Sequence, residues 1–242
     1  DRSSKNQIAE RLKNADIAVV NKIIFDQNLI DSLPKLKYIA LTATGYNNLD
    51  IQYLHQKNIL ASNVSNYGSH AVAQHTFALI LELTNHVTHH QKDCIEGKWN
   101  QTSDFCFWSQ PMTELFQKKI GIIGLGNIGL QTAIIAKAFG MEVYYHSRED
   151  KKIEGMTFVQ NPNDIFSQCD VVSLHCTLNE NTKHIINSES LKLFSAHSII
   201  INTSRGDLID ENALLDALNN HQIAGAGLDV LSIEPPNLSP TT

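Results

Sequence analysis

The sequence predicts an α/β protein: a doubly wound parallel-sheet domain preceded by a smaller α/β domain of similar build. Three observations carry this prediction. Short apolar runs of strand character alternate with helix-like stretches along most of the 242 residues, the pattern of parallel strands joined by crossover helices. One such run, Ile120, Ile122 and Ile123, leads straight into Gly124, Gly126 and Gly129. Polar clusters follow several strands at their carboxyl ends, where open α/β sheets bind ligands.

The elements follow in order. A helix-like segment carries Ile8, Leu12 and Ala15, then Ile17–Val20 reads as a strand and Gln27–Leu33 as a helix closed by Pro34. Lys37–Leu41 is a second strand opening into the loop Thr42–Asn48. Ile51–Lys57 is a short helix and Ile59–Ser62 a third strand. Residues 71–87 read as a long helix, apolar all round and so expected to be buried at a domain boundary. Residues 91–116 are irregular and aromatic (Trp99, Phe105, Phe107, Trp108). An exposed aromatic excursion of this kind marks a subunit interface, so a homodimer is expected. Beyond the glycine run, Gln131–Phe139 reads as a helix and Met141–Tyr145 as a strand. Asp164–Cys169, Ser188–Leu193 and Glu211–Asn219 follow as helices, interleaved with strands at Val171–Cys176, Ser198–Asn202 and Gly225–Val230.

Composition narrows the classes of function. Apolar content of 42% and charged content of 18% describe an ordinary globular chain, and a net charge of −6 argues against nucleic acid as the main partner. No apolar run is long enough for a membrane span and none resembles a secretion signal. The four cysteines show no Cys-x-x-Cys spacing and read as reduced thiols of a cytoplasmic protein. Of the eleven histidines, His89-His90 could suggest a metal, but no His or Cys/His set accompanies them on a shared face, so no metal is expected. Both ends read as cut, the first at Asp1 entering a helix and the second at Thr242 just after a Pro-rich turn.

Gly124-x-Gly126-x-x-Gly129, between a strand and a helix and followed by a second strand, is the dinucleotide-binding fingerprint of the Rossmann unit. Gly124 suits the tight turn, Gly126 the approach of backbone to a pyrophosphate, and Gly129 close packing of helix on strand. The helix N-terminus offers N–H groups and partial positive charge to the phosphates. Specificity for the ribose turns on the end of the next strand, where an acid would bind a 2′-hydroxyl. Eighteen positions after Gly129 stands Ser147, followed by Arg148. With no carboxylate to repel a 2′-phosphate and an arginine able to pair with one, NADP is preferred over NAD as cofactor, although Glu149 next door could favour NAD.

Five blocks in order resemble the D-isomer-specific 2-hydroxyacid dehydrogenase family: Thr44–Asp50, Tyr67–Thr76, the glycine fingerprint, Asn202–Gly206, and Gly227–Val230 followed by Glu234-Pro235-Pro236. Val72–Leu79 and Asp104–Trp108 are most similar to its glycerate dehydrogenase, or hydroxypyruvate reductase, branch. The resemblance implies a flavodoxin-like substrate domain over residues 1–66, truncated at both termini, and an NAD(P)-binding domain over 67–242. The implied reaction moves a hydride between NAD(P)H and a small 2-keto acid, hydroxypyruvate or glyoxylate giving D-glycerate or glycolate.

The resemblance also implies roles for residues. Arg205 is the catalytic cation, its planar fork suited to gripping the substrate carboxylate and polarising the ketone. Gly206 is expected to let the backbone turn sharply beneath it. Thr44 and Gly45 match the backbone cradle for the substrate carboxylate. Glu234 matches the acid that raises the pKa of a proton-donating histidine, and Asp229 the residue that holds the nicotinamide carboxamide. Asn127 and Ile128 fall under the pyrophosphate, Cys176, Thr177 and Thr182 along the adenine and ribose, and Thr203 and Ser204 beside the cofactor. The general-acid histidine of the family has no match among residues 1–242, so this polypeptide is expected to bind dinucleotide and to turn over keto acid poorly. Two alternatives stay open: a dinucleotide-sensing corepressor on the same fold, and a phosphoglycerate or D-lactate dehydrogenase.

Overall fold

Hydrogen bonding between short apolar strands produces two separate parallel sheets, one in each of two units, residues 1–68 and 69–242. The computed structural model describes residues 3–236. In the first unit, α1 (Lys5–Leu12) precedes β1 (Ile17–Val20), α2 (Gln27–Asp31), β2 (Tyr38–Leu41), α3 (Ile51–Gln56) and β3 (Leu60–Asn63). The strands pair in chain order, with Ile17 opposite Tyr38 and Tyr38 opposite Leu60. Asp26 and Asp50 cap α2 and α3 by accepting the N–H groups of Leu29 and Tyr53. Alternate strand residues (Ala18, Val20, Ile39, Leu41) point into a core with Phe25, Ile30, Leu33 and Leu54. The opposite residues of β1, Ile17 and Val19, are exposed.

The second unit begins with α4 (Ser69–Asn85) and α5 (Val87–Ile95), then alternates β4 (Lys119–Ile123), α6 (Asn127–Ala138), β5 (Glu142–His146), β6 (Thr157–Phe158), α7 (Pro162–Gln168), β7 (Val171–Leu174), α8 (Ser188–Leu191), β8 (Ile199–Asn202), α9 (Glu211–Asn219) and β9 (Gly225–Leu228). The sheet order is β6-β5-β4-β7-β8-β9, all parallel. The chain winds outward one way from β4 and then the other way from β7, so β4 and β7 flank the switch point of a doubly wound sheet. β7 and β8 are buried at every residue, as central parallel strands must be.

Several elements depart from the sequence expectation. The helix expected from Gln131 begins at Asn127, so the last residues of the glycine motif form its first turn. The helix expected over 71–87 ends at Asn85, where His86 takes a left-handed conformation (φ 51°) and separates α4 from α5. α4 is buried along one stripe only, Ala73, Thr76, Phe77, Ile80 and Thr84, because it lies on the sheet of its own unit. The segment 91–116 is less irregular than its composition suggests: α5 runs to Ile95, and a 3-10 turn covers Trp99–Gln101. β6 has only two residues, too short for a periodic signal.

What orders this excursion is Asp93, whose side chain is 1% exposed. Its carboxylate accepts hydrogen bonds from Lys98 Nζ and Ser109 Oγ, and His89 Nε2 lies 3.2 Å from Oδ2. The Lys98 ammonium first, then the Ser109 hydroxyl, hold the carboxyl down to about 2 from an ordinary 3.8. The folded-state pKa lies below the unfolded one. The stabilisation is therefore complete above about pH 4 and disappears as pH falls toward 2. Asp93→Asn is expected to lower the melting temperature at pH 7 and to flatten its decline between pH 4 and pH 2. Parallel acid limbs for wild type and variant in a calorimetric pH series would remove this carboxylate from the stability of the excursion.

Candidate functional site

The carboxyl ends of β4, β7, β8 and β9 bring together most of the residues singled out by sequence. At the end of β4, Gly124 adopts φ +98°, a conformation that L side chains rarely adopt. A Cβ there would lie 2.6 Å from the backbone of Cys176, which follows β7. A Cβ on Gly129 would lie 2.2 Å from the carbonyl oxygen of Gly124, so α6 presses directly on the turn. Gly126 is different, with no atom within 4 Å of a built Cβ. It also caps α6 without a side chain, so the helix N-terminus faces open space. A dinucleotide pyrophosphate fits this arrangement, because the space that a Cβ would fill is the space a phosphate needs and the N-terminal dipole favours negative charge.

The floor beside this turn is uncharged. Burial pushes the Cys176 thiol up to about 11 and the His175 imidazole down to about 4, so both are neutral at physiological pH. His175 Nε2 pairs with Ser173 Oγ at 2.8 Å. Thr182 folds back on its own loop, its hydroxyl donating to Thr177 O at 2.7 Å and accepting from Asn179 N at 2.8 Å. Past β5, Ser147 Oγ donates to the backbone oxygen of Glu149, and Arg148 and Glu149 are exposed. The nearby acid Asp150 is engaged elsewhere: buried Tyr145 donates its hydroxyl to it at 2.5 Å, and Lys152 N donates at 2.8 Å. That lock was invisible in the sequence, since it depends on Tyr145 pointing into the core while its hydroxyl reaches out.

At the ends of β8 and β9, Asn202 pairs with Leu228, and Asp229 N donates to Asn202 O at 3.0 Å. The loop Thr203-Ser204-Arg205 is held from below by Asn202, 1% exposed. Its Oδ1 accepts Ser204 N and its Nδ2 donates to Arg205 O. Asn202 opens the Asn-Thr-Ser-Arg-Gly block, and nothing in the sequence marks it as the clamp of the loop. Arg205 is half-buried and donates from Nη1 to Ser204 O at 2.7 Å.

Gly206 requires a different explanation from the sharp turn expected of it. Its backbone needs no positive φ, but a Cβ would lie 2.0 Å from the carbonyl carbon of Leu231. The glycine thus permits the Leu231–Ser232 segment to cross directly over the arginine loop. Glu234 sits three residues further on, exposed, and its Oε1 accepts Leu231 N at 3.1 Å. Ser232 N is held by Glu211. Arg205 and Glu234 therefore belong to touching segments although they stand 29 positions apart. Thr44 and Gly45 lie in the first unit after β2, where Thr44 Oγ1 donates to Val64 O and Asn63 Nδ2 donates to Thr44 O.

Two residues missed by sequence reasoning stand beside Asp229 and Thr203. His75 Nε2 lies 3.3 Å from Asp229 Oδ1, and Thr76 Oγ1 lies 3.1 Å from Thr203 Oγ1. Both come from α4, whose apolar stripe drew attention away from its polar positions. Among the described residues, no group of three His, Cys, Asp or Glu side chains could hold a metal, and no helix is long and apolar enough to cross a membrane.

A parallel sheet in this order, a glycine turn facing open space and an arginine loop at the adjoining strand ends define a nucleotide-dependent oxidoreductase. The family model of the D-isomer specific 2-hydroxyacid dehydrogenase NAD-binding domain matches residues 77–241, and the chain belongs to that family. It is similar to a hydroxypyruvate reductase of Blautia hydrogenotrophica, 40% identical over 241 residues that cover 97% of this chain and 74% of that one. A glycerate dehydrogenase of Methylorubrum extorquens is 36% identical over 95% of this chain and 72% of its own. Among solved structures, an acyclic imino acid reductase in complex with NADPH and D-Arg aligns with TM-score 0.90 and 32% identity, covering 98% of this chain and 75% of that one. The chain is accordingly an NAD(P)-dependent 2-hydroxyacid dehydrogenase by family, and the corepressor, phosphoglycerate and D-lactate alternatives are not favoured.

The glycine geometry separates binding from stability. Gly126→Ala is expected to keep the wild-type melting temperature and to weaken NAD(P)H binding by about tenfold or more, measured by fluorescence titration. Gly129→Ala is expected to lose about 1–3 kcal/mol of stability through overpacking, visible in thermal unfolding. Equal melting temperatures for the two variants would contradict the packing described for α6.

Proposed function

We propose that this protein reduces a short 2-keto acid, hydroxypyruvate or glyoxylate, to D-glycerate or glycolate, with NADPH preferred over NADH. The observation that carries the reading is Arg205, half-buried on a loop clamped by Asn202 and lying at the same sheet end as Asp229. When bound, a nicotinamide supplies the hydride that the keto carbon accepts. Arg205 binds the substrate carboxylate and carbonyl oxygens, and its permanent charge offsets the negative charge that grows on the carbonyl oxygen. Asp229 accepts the N–H of the carboxamide and so sets which face of the ring meets the substrate. Glu234, held at the crossing of Leu231 over Gly206, is the carboxylate that would partner a proton-donating imidazole, a position that none of the eleven histidines of residues 1–242 matches.

In this reading the second unit is the nucleotide domain, with Gly124, Gly126, Asn127, Ile128 and Gly129 beneath the pyrophosphate. Cys176, Thr177 and Thr182 lie along the adenosine, and Thr203 and Ser204 beside the cofactor. The first unit contributes Thr44 and Gly45 to the substrate cradle. The preference for NADPH rests on Arg148, exposed next to Ser147, and on the engagement of Asp150 by Tyr145, which leaves Glu149 as the competing acid. The exposed aromatics of the excursion, Trp99, Phe105 and Trp108, form the interface of a homodimer. The protein works in the cytoplasm, where its four free cysteines stay reduced.

Steady-state kinetics with hydroxypyruvate, glyoxylate, pyruvate and phosphohydroxypyruvate test the substrate class. Hydroxypyruvate or glyoxylate should exceed pyruvate in kcat/KM by about tenfold or more. A preference for pyruvate, or NADPH binding with no binding of hydroxypyruvate or glyoxylate, rejects the proposal. Arg205→Ala should lower kcat/KM by about 10²–10⁴-fold, the equivalent of two lost charge-assisted hydrogen bonds of ~1.5–3 kcal/mol each, without altering the circular dichroism spectrum. Dissociation constants for NADPH and NADH test the cofactor, and a tenfold preference for NADH would overturn the reading of Ser147 and Arg148.

A further inference from the structure

His75 has no assigned role in binding or chemistry, yet its position is strictly determined. Thr76, fully buried, donates its hydroxyl to Val72 O at 2.9 Å and is joined to Thr203 Oγ1 at 3.1 Å. One turn further along, Leu79 Cβ would lie 3.0 Å from a Cβ on Gly227, so the glycines of β9 let α4 rest on the strand itself. Rotation and translation of α4 are thereby fixed at the end of the sheet. The consequence falls on the neighbouring residue: His75 Nε2 is carried to 3.3 Å from Asp229 Oδ1.

Stability does not account for the pair. Both side chains are about half exposed, 47% for His75 and 53% for Asp229, and exposed pairs of this kind contribute little to folding. Orientation does account for it. The backbone of Asp229 is anchored by its N–H to Asn202 O, but its carboxylate can still rotate, and His75 is the side chain that bonds it among the described residues. A bond from Nε2–H to Oδ1 fixes the carboxylate plane and leaves Oδ2 to accept a ligand N–H.

We propose that His75 is a positioning residue of the nicotinamide subsite, holding the Asp229 carboxylate in the rotamer that receives the carboxamide. The proposal rests on the reading of Asp229 as the carboxamide acceptor. It assigns the amide of a bound nicotinamide, and no part of the adenosine or the phosphates, as the group whose binding depends on this helix residue.

The test is calorimetric titration of wild type, His75→Leu, His75→Gln and Asp229→Ala with two matched pairs of ligands. These are NADPH against 2′-phospho-ADP-ribose, and NADH against ADP-ribose, the second of each pair lacking nicotinamide. His75→Leu should weaken the nicotinamide-bearing member by about fivefold to tenfold, leave its nicotinamide-free partner unchanged, and keep the melting temperature. His75→Gln, whose amide N–H can still reach Oδ1, should recover most of the loss. Equal weakening of both members of a pair, or no weakening of either, overturns the positioning role. Asp229→Ala keeps the two levels apart. Should Asp229→Ala fail to separate the paired ligands, the reading of Asp229 itself falls. Should it separate them while His75→Leu does not, only the role of His75 falls.

Discussion

The constraint on which the nucleotide-binding half depends is the approach of α6 to the turn after β4. A Cβ on Gly129 would penetrate the Gly124 carbonyl, and a Cβ on Gly124 would penetrate the backbone of Cys176. Two glycines therefore bring β4, α6 and the end of β7 into mutual contact at the switch point of the sheet. Everything else at the site is placed relative to this junction. The helix N-terminus points where it does because Gly129 is flush with the strand, and the open volume above Gly126 exists because the flanking chain is already in contact below. A sheet with any larger residue at those positions would have to splay, and the space above Gly126 would lose its shape.

A second level of organisation lies at the ends of β8 and β9, where polar rather than apolar contacts set the geometry. Asn202 is nearly inaccessible and uses both its amide donor and its carbonyl acceptor on the following loop. Buried polar groups satisfied in this way rigidify a site at low cost, since their alternatives are all unsatisfied. The arginine loop is further covered by Leu231 and Ser232 through the absence of a side chain at Gly206. Electrostatics follow from the same packing: the neutral imidazole of His175 and the neutral thiol of Cys176 put no charge beneath the turn, which leaves the helix dipole to set its sign. Anionic ligands are favoured by what the floor lacks as much as by what the rim carries.

Much of this was legible in the sequence, for identifiable reasons. Strand positions were readable because parallel strands are short, apolar and bounded by polar ends, so Ile17–Val20 emerged at its observed limits, and the amphipathic helix Glu211–Asn219 did the same by its own period. The glycine motif was readable because each of its three positions answers a separate steric need. The start of α6 was misplaced by four residues because glycine has low helix propensity, whereas at Gly129 the approach of Gly124 O outweighs that preference. The bonds between His75 and Asp229 and between Tyr145 and Asp150 were unreadable for another reason. The first joins residues 154 positions apart, and the second depends on which face of β5 meets the core. Periodicity identifies faces; it does not say which polar atom waits on the other side.

The Asp93 cluster has an implication for how this molecule can change. Of its partners, Lys98 and Ser109 lie within the excursion that Asp93 orders and His89 just before it on α5, and none belongs to the sheet. The excursion joins the nucleotide unit through Thr113 N, which donates to Thr84 O, and through buried Leu115. Its outward aromatics Phe105 and Trp108 stand clear of these contacts and can be exchanged without disturbing either the core or the bonds that shape the loop. Contacts with other molecules and chemistry at the strand ends are separately heritable in such an architecture: one can drift, duplicate or be redesigned while the other is conserved.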